Sequence, residues 1–127
     1  MNLKQLFWAF RFPIIVFIIN EVALDPVYVL FPWFDMVMHA LGGVVVALSA
    51  AEVLKSWTKE KKFSASPFVR FLFITCFVAL IAVAWEWHEY LRMVLLNAPA
   101  NSLEDTLGDL ALGVGGAAII ALWRRVR

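Results

Sequence analysis

A chain of 127 residues with 63% hydrophobic and 17% charged residues and a mean hydropathy of +0.81 is too apolar for a water-soluble domain, which carries about 45–50% apolar residues and at this length buries only part of its surface. It is also too hydrophobic to be disordered, and its single cysteine, Cys76, rules out an intrachain disulfide framework. A formal net charge of +1 gives nucleic acid no reason to bind. The expectation is an all-α, polytopic membrane protein forming one domain over residues 1–127. A spanning helix takes about 20 apolar residues, so the chain holds about four in one bundle.

The first expected span covers about residues 6–24 and contains Arg11, Pro13, Asn20 and Glu21. Lys4 and Arg11 before an apolar stretch resemble a secretion signal, but Asn20-Glu21-Val22 offers no small-x-small cleavage site. An uncleaved helix is therefore expected. The stretch from Asp25 to Pro32 reads as an apolar outer loop lying along the membrane interface. The second span, about 33–54, opens with Asp35 and His39. The third, about 67–96, carries Glu86, His88 and Glu89 shortly before it exits, with Cys76 packed mid-span as a small hydrophobe. The fourth, about 102–123, opens with Asp105 and Asp109, and Ser102-Leu103-Glu104-Asp105 fits a capping box.

Charge placement orients these spans. Lys4 and Arg11, then Lys55, Lys59, Lys61, Lys62 and Arg70, then Arg124, Arg125 and Arg127 all fall on one side of a four-span layout, leaving only Arg92 on the other. The positive-inside rule puts that side, with both termini, in the cytoplasm. Trp8, Trp57 and Trp123 then sit at the inner boundary and Trp33, Trp85 and Trp87 towards the outer one, as interfacial belts do. The bilayer of a cytoplasmic (inner) membrane is thus the expected environment. The sequence leaves a homo-oligomer open.

Most remaining ionisable residues collect near the outer face. Asp35 and His39 are four apart, as are Asp105 and Asp109, and Glu86 and Glu89 are three apart; such pairs share a helix face. At about 1.5 Å per residue, His39, Glu86 and Asp109 lie one to two turns below the outer surface. Five unpaired carboxylates there would cost several kcal/mol, given about 2.5–3.5 kcal/mol per charge at mid-bilayer and less near the interface. Cationic partners, shared protons or a bound metal would relieve that cost. His39, His88 and Arg92 are too few to balance the acids.

Asp35, His39, Glu86, Glu89, Asp105 and Asp109 are therefore the expected metal ligands. One imidazole among carboxylates, with no thiolate, favours Mn, Fe, Mg or Ca over Zn. A spare carboxylate, Glu89 or Asp35, is the candidate base for metal-assisted chemistry on a lipid-linked or phosphorylated cell-envelope substrate. Two other readings stay open. The acids form a proton- or cation-coupled relay, or they only specify packing in a structural or assembly subunit. Capping alone also accounts for Asp105.

Small residues follow each polar pair at steps of four: Gly43, Ala47 and Ala51 below His39, and Gly113, Ala117 and Ala121 below Asp109. Such series suit close helix packing. The motif Ser102-x2-Asp105-x3-Asp109-x3-Gly113-x2-Gly116, preceded by Asp35-x3-His39 and Glu86-x2-Glu89, resembles the VanZ-like and YjdF-like families of small bacterial membrane proteins over about residues 33–123. Acids at Glu89 and Asp109, where VanZ-like proteins usually carry amides, place the chain nearer the YjdF-like pattern. The resemblance implies a four- or five-helix protein of the cell envelope and supplies no reaction.

Overall fold

The computed structural model describes residues 2–61, 64–98 and 101–125. They form four helices: α1 (Leu3–Leu30), α2 (Phe34–Lys61), α3 (Pro67–Leu96) and α4 (Leu103–Arg125). Each contains a stretch long and apolar enough to cross a membrane, and the protein is an all-α membrane bundle.

Local chemistry sets where the helices begin. The Asn2 side chain accepts from the Gln5 amide at 2.9 Å while Gln5 Oε1 accepts from the Asn2 amide, a reciprocal cap that starts α1. Ser66 caps α3 by accepting from Val69 N–H at 3.3 Å, with Pro67 in the first turn, where its missing donor costs nothing. Asn97, left-handed at φ 53°, closes α3. Ser102 Oγ accepts from Asp105 N–H at 3.1 Å and starts α4.

The outer loop expected from Asp25 to Pro32 is instead mostly helix, since α1 continues to Leu30. No glycine or asparagine stands there to end it, and proline is tolerated inside membrane helices when neighbours satisfy the freed backbone. The helix closes where Phe31 N–H bonds the Val27 carbonyl at 2.8 Å, and Phe34 N–H then bonds the Phe31 carbonyl at 2.9 Å. That short connection folds α2 back against α1 as an antiparallel neighbour. At its other end α2 runs to Lys61, carrying Lys59 and Lys61 in its last turn, where cations suit the negative end of the helix dipole.

Helix α2 is central and packs against all three others; among the described residues α1 packs on α2 and makes no backbone approach to α4. The tightest seam joins α2 to α4. Gly43 lies against the Gly113 carbonyl, and a Cβ on Gly116 would stand 3.0 Å from the Ala40 carbonyl oxygen. Ala47, Ala51, Ala117 and Ala121 continue into the buried core with Val46, Ile74 and Val78. The two four-step series thus bring the backbones together, gaining dispersion contact where lipid offers no hydrophobic drive. Helix α1 is held by the Ser49 hydroxyl, which donates to the Ala9 carbonyl at 2.7 Å, and by ring contacts of Phe10 with Phe77 and Phe17 with Trp85. The outward faces of all four helices are apolar and exposed, with Ile18, Leu80, Leu95 and Ile119 among them.

Candidate functional site

Helices α2 and α4 both start at the end of the bundle far from the chain termini, and α3 ends there. The last third of α3 therefore lies beside the first turns of α2 and α4, and two helix N-termini face its acids. That is the favourable end of the dipole for carboxylates. Asp35 occupies the first turn of α2, His39 stands one turn deeper, and Asp109 stands in the second turn of α4.

His39 is the hub. Its Nε2 lies 3.6 Å from Asp35 Oδ1, 3.7 Å from Glu89 Oε1 and 3.7 Å from Asp109 Oδ2, and its Nδ1 lies 3.9 Å from Glu86 Oε1. One imidazole thus faces four carboxylates from three helices. Every one of these separations exceeds the about 2.7–3.2 Å of a hydrogen bond. The side chains of His39 and Asp109 are only 5% and 2% exposed. His39 Nε2, Glu86 Oε1 and Asp109 Oδ2 are buried without a hydrogen-bond partner among the described residues. Each such orphan costs about 1–3 kcal/mol unless something occupies the space between them.

Ligand atoms about 2.0–2.5 Å from a shared ion stand at most about 5 Å from one another, and the donors of each set fall inside that bound. Two sets of donors lie with their atoms within 4.8 Å: Asp35, His39 and Asp109, and His39, Glu86 and Glu89. His39 belongs to both. The donors are one nitrogen and several oxygens, a set that suits hard or borderline divalent ions.

Other groups orient the cluster. The Trp85 indole N–H donates to Glu89 Oε1 at 2.8 Å and the Asn101 amide donates to Glu89 Oε2 at 2.8 Å. Thr106 on α4 reaches Glu86, and the Trp85 ring stands edge-on to His39 at 6.0 Å. Trp85 is four residues before Glu89 and so shares its face, a spacing from which its role was readable. Asn101 lies in the α3–α4 connection, and no periodicity marks it.

Asp105 stands apart from both donor sets. It is exposed in the first turn of α4, and its backbone N–H is the one that Ser102 caps. His88 and Arg92 form a separate group with α1: His88 Nε2 is 3.1 Å and Arg92 Nη1 3.8 Å from Glu21 Oε1. Arg92 thus meets Glu21 on α1. One residue earlier, Asn20 is almost fully buried and accepts from the Tyr28 hydroxyl. Burial first, and then the Asp35 charge, push the Tyr28 hydroxyl's pKa up, so it remains a donor at any ordinary pH.

A family model described as "Predicted membrane protein (DUF2238)" matches residues 4–127. No curated protein and no solved structure matches the chain.

Proposed function

This chain belongs to the DUF2238 family of predicted membrane proteins, and from that premise we propose that the His39 cluster is a divalent-metal site at the outward-facing end of the bundle. Asp35, His39 and Asp109 would form one ligand set and His39, Glu86 and Glu89 the other. Asp105 would add charge at the rim. The observation that carries the proposal is the trio of buried atoms, His39 Nε2, Glu86 Oε1 and Asp109 Oδ2, that make no hydrogen bond among the described residues. Protein interiors rarely leave such atoms unsatisfied; an ion held by Asp35, His39 and Asp109 would satisfy the His39 and Asp109 atoms, and one held by His39, Glu86 and Glu89 the Glu86 atom.

The chemistry that fits is metal-assisted work on a phosphorylated or lipid-linked envelope substrate. There the ion would neutralise phosphate oxygens or activate water. Glu89 is anchored through both oxygens by Trp85 and Asn101. Asp35, which the Tyr28 hydroxyl reaches, is the most exposed of the four acids around His39, so it is the better base. An inner-membrane location with both termini cytoplasmic belongs to the same proposal, supported by the distribution of basic residues. The resemblance to VanZ-like and YjdF-like proteins supports an envelope role. A relay to the opposite face is disfavoured by the packing beneath the site, where Ala47, Ala50 and Ala117 are fully enclosed.

Elemental analysis of purified protein, followed by calorimetric titration with Mn²⁺, tests the site. Wild type is expected to take up metal, and the Glu86→Gln/Asp109→Asn double variant to lose it. Metal-free wild type that also fails to bind added Mn²⁺ would overturn the reading.

A further inference from the structure

Below the polar cluster, a cavity of about 290 Å³ opens between α1, α2 and α3. It reaches from the level of His39 and Trp85 down to Val46 and Val78, about 10 Å along α2 at 1.5 Å per residue. Among the described residues, only His39 and the Trp85 indole bring nitrogen or oxygen side-chain atoms to its lining, and that indole N–H is already given to Glu89. Its inner wall is closed, for Val16, Met38, Val46 and Val78 are buried. Its rim is open, for Ile14, Phe17 and Ile81 are exposed on the outward surface of the bundle.

A space of this kind excludes water, since apolar cavities stay dry and accept apolar guests. At this depth the surrounding medium is hydrocarbon, and the rim faces it. A methylene group is about as bulky as a water molecule, which occupies about 30 Å³, so the cavity accommodates about ten carbons of one chain. The upper end of that chain would stop at His39, the single polar element of the cavity that is also the hub of the acidic cluster.

We propose that the cavity holds one hydrocarbon chain of a membrane lipid whose polar head reaches the His39 cluster. The site then takes an amphiphile entering sideways from the bilayer, with the chain between α1, α2 and α3 and the head at the junction of α2, α3 and α4. That the head bears phosphate rests on the metal reading above, because a hard divalent ion selects phosphate oxygens. The position of the chain rests on the cavity alone.

Phosphatidylcholine vesicles doped with a phosphatidylglycerol carrying a diazirine midway along one acyl chain provide the test. On irradiation, wild type is expected to be labelled at Val46 and Val78, which bulk lipid cannot reach. A Cβ at Gly42, on the cavity wall, would meet nothing within 4 Å, so Gly42→Phe fills the space and should cut those labels by about tenfold. Gly42→Leu gives the same reading with a smaller side chain should the phenylalanine variant not fold. Gly115→Phe, equally unobstructed and outside the cavity, should leave the labels in place. Labels confined to outward residues such as Leu80 and Ile119 would overturn the chain site, and Mn²⁺ binding by the same preparation would leave the metal reading standing. Labels at Val46 and Val78 in protein that binds no Mn²⁺ would support the chain site and defeat the metal reading.

Discussion

Gly43 of α2 and Gly113 of α4 meet backbone to backbone: a Cβ on Gly43 would stand 2.8 Å from Gly113 Cα. The contact lies one turn below His39 and Asp109, so it sets how far apart those two side chains stand. Close approach of the two backbones is what lets short side chains from different helices share one small space.

Gly43→Ala should therefore disturb both stability and site. Forcing a methyl group against a backbone that cannot yield costs about 1–3 kcal/mol, read as a lower unfolding midpoint in detergent. Gly108→Ala and Gly115→Ala, where a Cβ meets nothing within 4 Å, should be neutral or stabilising by about 0.5–1 kcal/mol. Equal effects at all three positions would show that the seam is not tight.

The hub and the rim should separate cleanly in metal titrations. His39→Gln removes the donor common to both ligand sets and is expected to abolish measurable Mn²⁺ binding. Asp105→Asn, at an exposed position outside both sets, should change affinity by less than about threefold, a difference of under about 0.7 kcal/mol. A loss at Asp105 as large as that at His39 would place the ion nearer the start of α4.

Trp85 and Asn101 act on the cluster through Glu89. Removing one outer hydrogen bond to a ligating carboxylate typically costs about 10–100-fold in metal affinity, so Trp85→Phe and Asn101→Ala should each weaken Mn²⁺ binding without changing its stoichiometry. The phenylalanine keeps the ring packed beside His39 and removes only the N–H. Wild-type affinity in both variants would mean that Glu89 is not a ligand.

Metal uptake should weaken as the solution is acidified, because protons compete with the ion for the carboxylates and for the imidazole. Binding in an unbuffered solution should accordingly release protons, which a pH electrode records directly. Uptake that stays flat on acidification would point to an ion held by backbone or amide oxygens.

The link from α1 to α3 through Glu21, His88 and Arg92 is partly exposed. Pairs in such positions contribute about 0–1 kcal/mol. Glu21→Gln should shift the unfolding midpoint only slightly and leave Mn²⁺ binding unaffected, which distinguishes this group from the His39 cluster.

Much of this was legible in the sequence. Apolar stretches of spanning length predict four helices, and spacings of three and four put Asp35 with His39 and Glu86 with Glu89 on shared faces. Periodicity and length are local properties, so a single chain carries them openly. The same is true of the small-residue steps that end in the Gly43–Gly113 contact. What periodicity misjudged was the stretch after Asp25: proline and an interfacial position read as loop, yet the backbone stays helical to Leu30, because neighbouring helices can compensate for what proline removes.

The tertiary structure alone decided which members of each pair meet. Asp105 and Asp109 have the same spacing as Asp35 and His39, but only Asp109 turns inward, since Asp105 sits in the capped and exposed first turn. Arg92 lies three residues from Glu89 and still goes to Glu21 on α1. Glu89 is held instead by Trp85 and by Asn101 from a connection no pattern announces. Helix rotation and tilt, set by how closely α2 and α4 approach, choose among partners that are equivalent by spacing. Spacing along the chain carries the residue types of this polar layer; packing makes four of its acids surround one histidine and leaves an apolar cavity beneath it.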